Sequence, residues 1–367
     1  MIISSMMDKI YPFYSSAVLL AAAFISVFFG LSRKKPVKIF IIIIFFLAIT
    51  YAFFLNVRTF IAGEVFSNYL FNFSYLQMVE ISIILFISLN ILIFISINNI
   101  GKDNFIKILI IFIFTVFCAS LYIMSSNFLM IFTSLVIFIA CIFQLVTLLN
   151  SDNYLIMVTE YSIRNHLIRY FQVSVFSLLL ILVGFSLIFG STNFKNFAQV
   201  LESGKIDSAM LKAGIFIIFT SIYVYLFIFP LQSAYVKLIK RCEQASALVL
   251  WFLYFPAGIF LFLKLKSILF YFIEKNNFYL TIAFLAVAFL LAFCGNIGAV
   301  KTTSLRRILT FLFLSSLGVA VLAIANYSLG FIDDRRVDWL IFSNLAVTGL
   351  CYLPMFAVFS EVEKIYG

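Results

Sequence analysis

The chain has 367 residues, of which 65% are hydrophobic and 11% charged, with a mean hydropathy of +1.17. That balance excludes a water-soluble globule, which needs a polar exterior that this composition cannot supply. The formal charge of +10 does not mark a nucleic-acid protein, because the basic residues stand singly between apolar runs and form no basic face interleaved with aromatics.

Apolar runs long enough to cross about 30 Å of hydrocarbon follow one another along the chain, each closed by charged or turn-forming residues. The expected fold is all-α, a polytopic transmembrane helical bundle of about eleven spans. They lie near 12–31, 38–56, 79–99, 106–124, 128–149, 168–190, 209–230, 246–266, 277–299, 308–327 and 338–360. The first is longer than a secretory-signal core, and no small-residue cleavage site precedes Arg33, Lys34 and Lys35, so it is read as a span. Lys and Arg concentrate in alternate loops, at Arg33 to Lys38, Lys102, Lys107, Arg164, Arg169, Lys237 to Arg241, Lys301, Arg306, Arg307 and Lys364. The positive-inside rule then puts the N-terminus outside and the C-terminus in the cytoplasm.

Charges inside spans are the informative residues of a membrane protein, because each is costly unless paired or hydrated. Glu80 and Lys212 fall at the edges of their spans, and Lys264 and Lys266 near the end of the eighth, where long side chains reach the interface. Pro230, followed by Gln232 and Ser233, ends or interrupts the seventh span, and Pro256 lies inside the eighth. Each proline frees a backbone carbonyl. Such a break is either a transporter-like broken helix or a packing kink. Cys118, Cys141, Cys294 and Cys351 lie within spans and Cys242 beside a basic cluster, with no CxxC spacing. His166 is the sole histidine. No metal site, Walker loop, dinucleotide fingerprint or nucleophile elbow is expected.

From residue 105 onward a series of motifs occurs in a telling order. Ser126-Asn127-Phe128-Leu129 opens the fifth span, Arg169-Tyr170-Phe171 the sixth, and Phe189-Gly190-Ser191-Thr192-Asn193 closes it. Pro230 and Pro256 follow, and then Gly295-Asn296-Ile297-Gly298-Ala299-Val300-Lys301-Thr302-Thr303-Ser304-Leu305-Arg306-Arg307. In this order the chain resembles the antiporter-like membrane subunits of respiratory complex I, most of all subunit N of bacterial NADH:quinone oxidoreductase. The resemblance implies spans one to three over 1–105, a first antiporter-like repeat over 106–275 and part of a second over 276–367. The chain ends before that second repeat is complete.

Members of that family pass protons along ionisable midplane residues. The positions that match them are Ile137 or a neighbouring apolar residue, Tyr225, Ala257 and Ser316, none of which changes charge near neutral pH. The resemblance thus implies a structural, non-pumping member of a proton-translocating complex in a bacterial inner membrane. Its partners would be other membrane-arm subunits and the lipid bilayer. It would have no catalytic site and no cofactor of its own, since partner subunits would hold the flavin, iron-sulfur clusters and quinone. Two alternatives are a proton or cation/proton antiporter subunit conducting through hydrated Tyr225, Gln232 and Ser316, and an unrelated scaffold or lipid-handling protein with a Phe-rich composition. Arg306 and Arg307 either anchor their loop at the headgroups, in which case exchange of both for lysine is nearly silent, or, as the resemblance implies, help hold the entry of the tenth span, in which case lysine does not replace them.

Overall fold

The computed structural model describes residues 13–29, 35–63, 65–67, 70–101, 104–150, 157–193, 199–200, 209–226, 231–264, 278–328, 336–341, 343–344 and 355. In chain order they form α1 (Tyr14–Phe29), α2 (Lys35–Ala62), a short antiparallel ribbon of β1 (Phe66–Ser67) and β2 (Asn72–Phe73), then α3 (Tyr75–Asn99). Next come α4 (Phe105–Met124), α5 (Phe128–Asn150), α6 (Met157–Thr192), α7 (Ala209–Tyr225), α8 (Gln232–Arg241) and α9 (Gln244–Val249). A π-helical turn at Leu250–Tyr254 continues as α-helix to Lys264, and α10 (Phe278–Val300) and α11 (Leu305–Ser328) follow.

Seven of these helical segments are long and apolar enough to cross a membrane, and Tyr14–Phe28, Ala209–Tyr225 and Leu285–Val300 are shorter apolar helices. The protein is a polytopic bundle of membrane helices. Every expected span through the tenth overlaps one of these helices. The eleventh lies mostly outside the described residues, as do Pro230, Lys266 and Cys351.

The chain divides into two compact units. Unit 1 comprises Met1–Leu155, Ile188–Ser208 and Leu248–Ala257, and unit 2 comprises Ile156–Leu187, Ala209–Ala247 and Gly258–Gly367. In unit 1, α2 buries Ile41, Phe45, Ala48, Ile49 and Ala52 at helical spacing, while Leu47, Phe54 and Ile61 are exposed on its other side. A helix apolar all round, with one stripe buried in protein, turns the remainder to lipid. Since lipid is as apolar as leucine, polar contacts help set which helices meet. Asn56 Nδ2 of α2 donates to the Met78 carbonyl and to Ser82 Oγ of α3, both at 2.6 Å. Lys38 Nζ donates to the Ile100 carbonyl at 3.1 Å, a cation at the carboxyl end of α3 where the helix dipole favours it.

Capping residues place the helix starts. The Ser74 amide donates to Gln77 Oε1 at 2.7 Å, which opens α3 at Tyr75, four residues before the expected start. After α4, Ser125 is extended and pairs with Phe71, and Asn127 Oδ1 accepts the Leu129 amide at 3.0 Å to open α5. The Asn127 of the sequence motif is therefore an N-cap.

In unit 2 small residues let backbones approach. A Cβ on Gly184 of α6 would lie 2.9 Å from the Gly214 carbonyl of α7. Ser177 and Ser221 seal the same pair of helices, each hydroxyl donating to the other's carbonyl at 3.2 and 2.8 Å. Gly295 and Gly298 do likewise for α10, where an added Cβ would meet the Phe311 carbonyl at 2.7 Å and the Phe311 ring at 2.5 Å.

The charge pattern yields a first test. A cysteine placed at Lys35 is expected to resist an impermeant thiol reagent in intact cells, and one placed at Glu64 to react. Labelling at Lys35 would reverse the assigned orientation.

Candidate functional site

The break expected in the seventh span at Pro230 lies outside the described residues, between two helices that are described. α7 ends at Tyr225, Leu226 closes its last turn through the Ile222 carbonyl, and helix resumes at Gln232 in α8. Gln232 is half-buried at the first turn of α8. In the eighth span the π-turn Leu250–Tyr254 lies immediately before Pro256. A proline donates no hydrogen bond and its ring crowds the carbonyl four residues back, here Phe252, and a one-residue widening of the helix absorbs both effects. Every residue from Ala245 to Leu261 for which burial is described is buried.

The four positions matched to ionisable residues occupy dissimilar places. In unit 1, Ile137 is 45% exposed on the outer side of α5, whereas Ser134, Phe138 and Cys141 point inward. Of Ile137 and its neighbours, the apolar residue on the inward face is Phe138. Ala257 is fully buried and its carbonyl accepts the Tyr122 hydroxyl at 3.0 Å. In unit 2, Tyr225 is fully buried against Gly258, where a Cβ would come within 2.7 Å of the ring. No lysine fits at Gly258. Ser316 Oγ donates to the Phe313 carbonyl at 2.7 Å, and the Ser316 carbonyl accepts Asn344 Nδ2 at 2.7 Å. Tyr225 and Ser316 are therefore held by packing and by helix hydrogen bonding.

Glu80 corrects an expectation. Because the Ser74 cap opens α3 at Tyr75, Glu80 sits about 8 Å along the helix from its first residue and is 0% exposed. Its carboxyl is enclosed in protein. Tyr122, also 0% exposed, lies within its electrostatic reach. Lys212 is exposed at the start of α7 and Lys264 half-buried. Asn344 and the Glu80–Tyr122 pair were missed by sequence reasoning. Helix register counted from the Ser74–Gln77 box could have found Glu80, but no sequence signal marks Asn344.

At one end of unit 2 the cations have specific partners. Arg241 Nη1 lies 2.9 Å from His166 Nε2, and Arg169 and Lys237 also act on that imidazole. Arg306 Nη1 donates to the Cys242 carbonyl at 3.0 Å, so the start of α11 holds the C-terminal cap of α8. Arg306 is therefore more than a headgroup anchor, and Arg307 Nε is buried without a hydrogen-bond partner among the described residues. Burial pushes the Cys242 thiol up to about 12, against the opposing pull of Arg306. Only the thiolate is nucleophilic. A variant with Cys242 as its sole cysteine is expected to stay unmodified by maleimide at neutral pH and to react only as the pH climbs towards 12 or the protein unfolds. Rapid labelling of the folded protein at neutral pH would contradict this burial.

No protein-family model matches the sequence, and no curated protein matches it. Solved structures do. A chain of the membrane-bound sulfane sulfur reductase, an archaeal respiratory membrane complex, superposes with a TM-score of 0.75 at 16% identity, covering 95% of this chain and 71% of that one. A chain of respiratory complex I from Thermus thermophilus gives 0.72 at 13% identity over 94% of this chain and 70% of the other. A chain of the Mrp complex from Dietzia sp. DQ12-45-1b gives 0.77 at 13% identity over 96% and 65%. The protein has the fold of these membrane-complex chains. At such identities the likeness concerns the fold alone, and it runs through nearly the whole described helix order, including the N-terminal spans.

Proposed function

We propose that this protein is an antiporter-like membrane-arm subunit of a multi-subunit respiratory complex. In that complex it holds a structural place similar to that of subunit N of an NADH:quinone oxidoreductase and does not itself translocate protons. The observation that carries the reading is the fold likeness to chains of membrane complexes over 94% or more of this chain, combined with four side chains at the matched positions that do not change charge near neutral pH. Its partners are other membrane-arm subunits in an energy-transducing membrane such as the bacterial inner membrane. Flavin, iron-sulfur clusters and quinone belong to those partners. A likeness over 94% or more of the chain speaks against compositional mimicry by an unrelated scaffold. Conduction through a hydrated polar file finds little support, because the Tyr225 ring is packed against Gly258 and the Ser316 hydroxyl is bonded within its own helix.

Proton transfer across hydrocarbon needs groups that bind and release protons in series, or a gated water wire. Purified protein in vesicles carrying an internal pH dye, under an imposed potential, is expected to leak protons no faster than empty vesicles. A saturable flux abolished by Tyr225→Phe and Ser316→Ala would overturn the non-translocating role.

A further inference from the structure

The buried acid of α3 is used by nothing described so far. Glu80 is 0% exposed inside Tyr75–Asn99, a helix long and apolar enough to cross a membrane. Within unit 1 this helix packs against α2, α4 and the π-turn. Tyr122 of α4 is fully buried within electrostatic reach of the carboxyl, and its hydroxyl is committed to the Ala257 carbonyl just past the π-turn. Farther along the buried side of α3, about 12 Å from Glu80, Ser88 Oγ is fully buried with no hydrogen-bond partner among the described residues. Asn99 Oδ1 is in the same condition. The buried side of α3 thus carries an acid and, farther along, an unsatisfied hydroxyl and an unsatisfied amide oxygen, and the helix packs against the one π-helical turn among the described residues. π-turns concentrate at functional sites. An ionisable side chain at membrane depth is expensive to keep and is by default a functional group.

We infer that Glu80 is a proton-binding site of unit 1, a carboxyl that takes and gives up a proton within the apolar helix α3, beside Tyr122. It is distinct from the four matched positions. One such site binds a proton without supplying the series of sites that translocation requires. Its environment is set by the titratable groups of the surrounding elements. On α2, Lys38 donates to Ile100, while Tyr51 and Arg58 are exposed. On α4, Lys107 is exposed, and Cys118 and Tyr122 are buried. In the π-turn Tyr254 is buried.

The test is infrared difference spectroscopy of the full chain in membranes, stepped through pH. A protonated carboxylic acid has a C=O stretch well separated from that of the carboxylate. The native protein is expected to show one such band that changes with pH, that is missing in Glu80→Gln and that persists, displaced, in Glu80→Asp. Tyr122→Phe is expected to shift its midpoint. A second probe is dicyclohexylcarbodiimide, a membrane-soluble reagent. The acid adds across one C=N bond, its proton passing to nitrogen and its oxygen bonding to carbon, and the acyl group then moves to nitrogen with nothing lost. The expected adduct, of the whole reagent mass, falls on Glu80 and is absent in Glu80→Gln. Native and Glu80→Gln spectra that coincide in the acid band at every pH would overturn the assignment, whatever the labelling. Should Glu80→Gln fail to fold, coincidence of native and Glu80→Asp spectra decides in the same way.

Discussion

Replacing Gly298 with leucine is expected to collapse the yield of folded protein. The Cβ alone would lie 2.5 Å from the Phe311 ring, and leucine adds three more carbons into the contact between α10 and α11. Overpacking of this kind costs about 3 kcal/mol at its upper end, which is about a hundredfold in the ratio of folded to unfolded protein. Detergent-melting curves of Gly298→Leu, Phe311→Ala and the pair together check it. The pair is expected to lose less than the two single changes added, because the truncated ring vacates the space that leucine needs. Gly190→Ala serves as the reference, since nothing lies within 4 Å of an added Cβ there, and it is expected to be silent. Additive losses would mean that Gly298 and Phe311 do not meet.

Arg306→Ala is expected to cost about 2 kcal/mol, the usual worth of a hydrogen bond from a charged group to a carbonyl. The half-buried guanidinium donates to the Cys242 carbonyl at the end of α8, and removing it leaves that cap without its partner. Arg306→Lys is expected to recover only part, because a point-charge ammonium replaces a planar fork of donors. The checks are thermal melting and protease cleavage near Cys242. Exchange of both arginines for lysine is therefore not silent, contrary to a purely snorkelling role. Equal melting of Arg306→Lys and the native protein would restore that simpler account.

These contacts mark where sequence reasoning stopped. Hydropathy placed the spans because the hydrocarbon thickness sets a length that a single residue cannot disguise, and Pro256 announced irregular helix near it. The Asn127 motif was visible, but its role as an N-cap emerged only from the Leu129 amide. Glu80 was misplaced by four residues of helix boundary, enough to turn a buried acid into an interfacial one. The choice between Ile137 and its apolar neighbours stayed open in the sequence, because when a helix such as α5 is apolar on every face, no hydrophobic stripe reports which side turns inward. The π-turn, Asn344 and the bond from Arg306 to Cys242 depend on long-range packing and have no local signature.

The central claim is membership in a membrane complex, and capture of the tagged full-length chain from mildly solubilised native membranes tests it most directly. The account predicts stoichiometric recovery of other polytopic membrane subunits together with peripheral subunits carrying flavin and iron-sulfur clusters. Recovery of the chain alone, with its native melting behaviour intact, would contradict it.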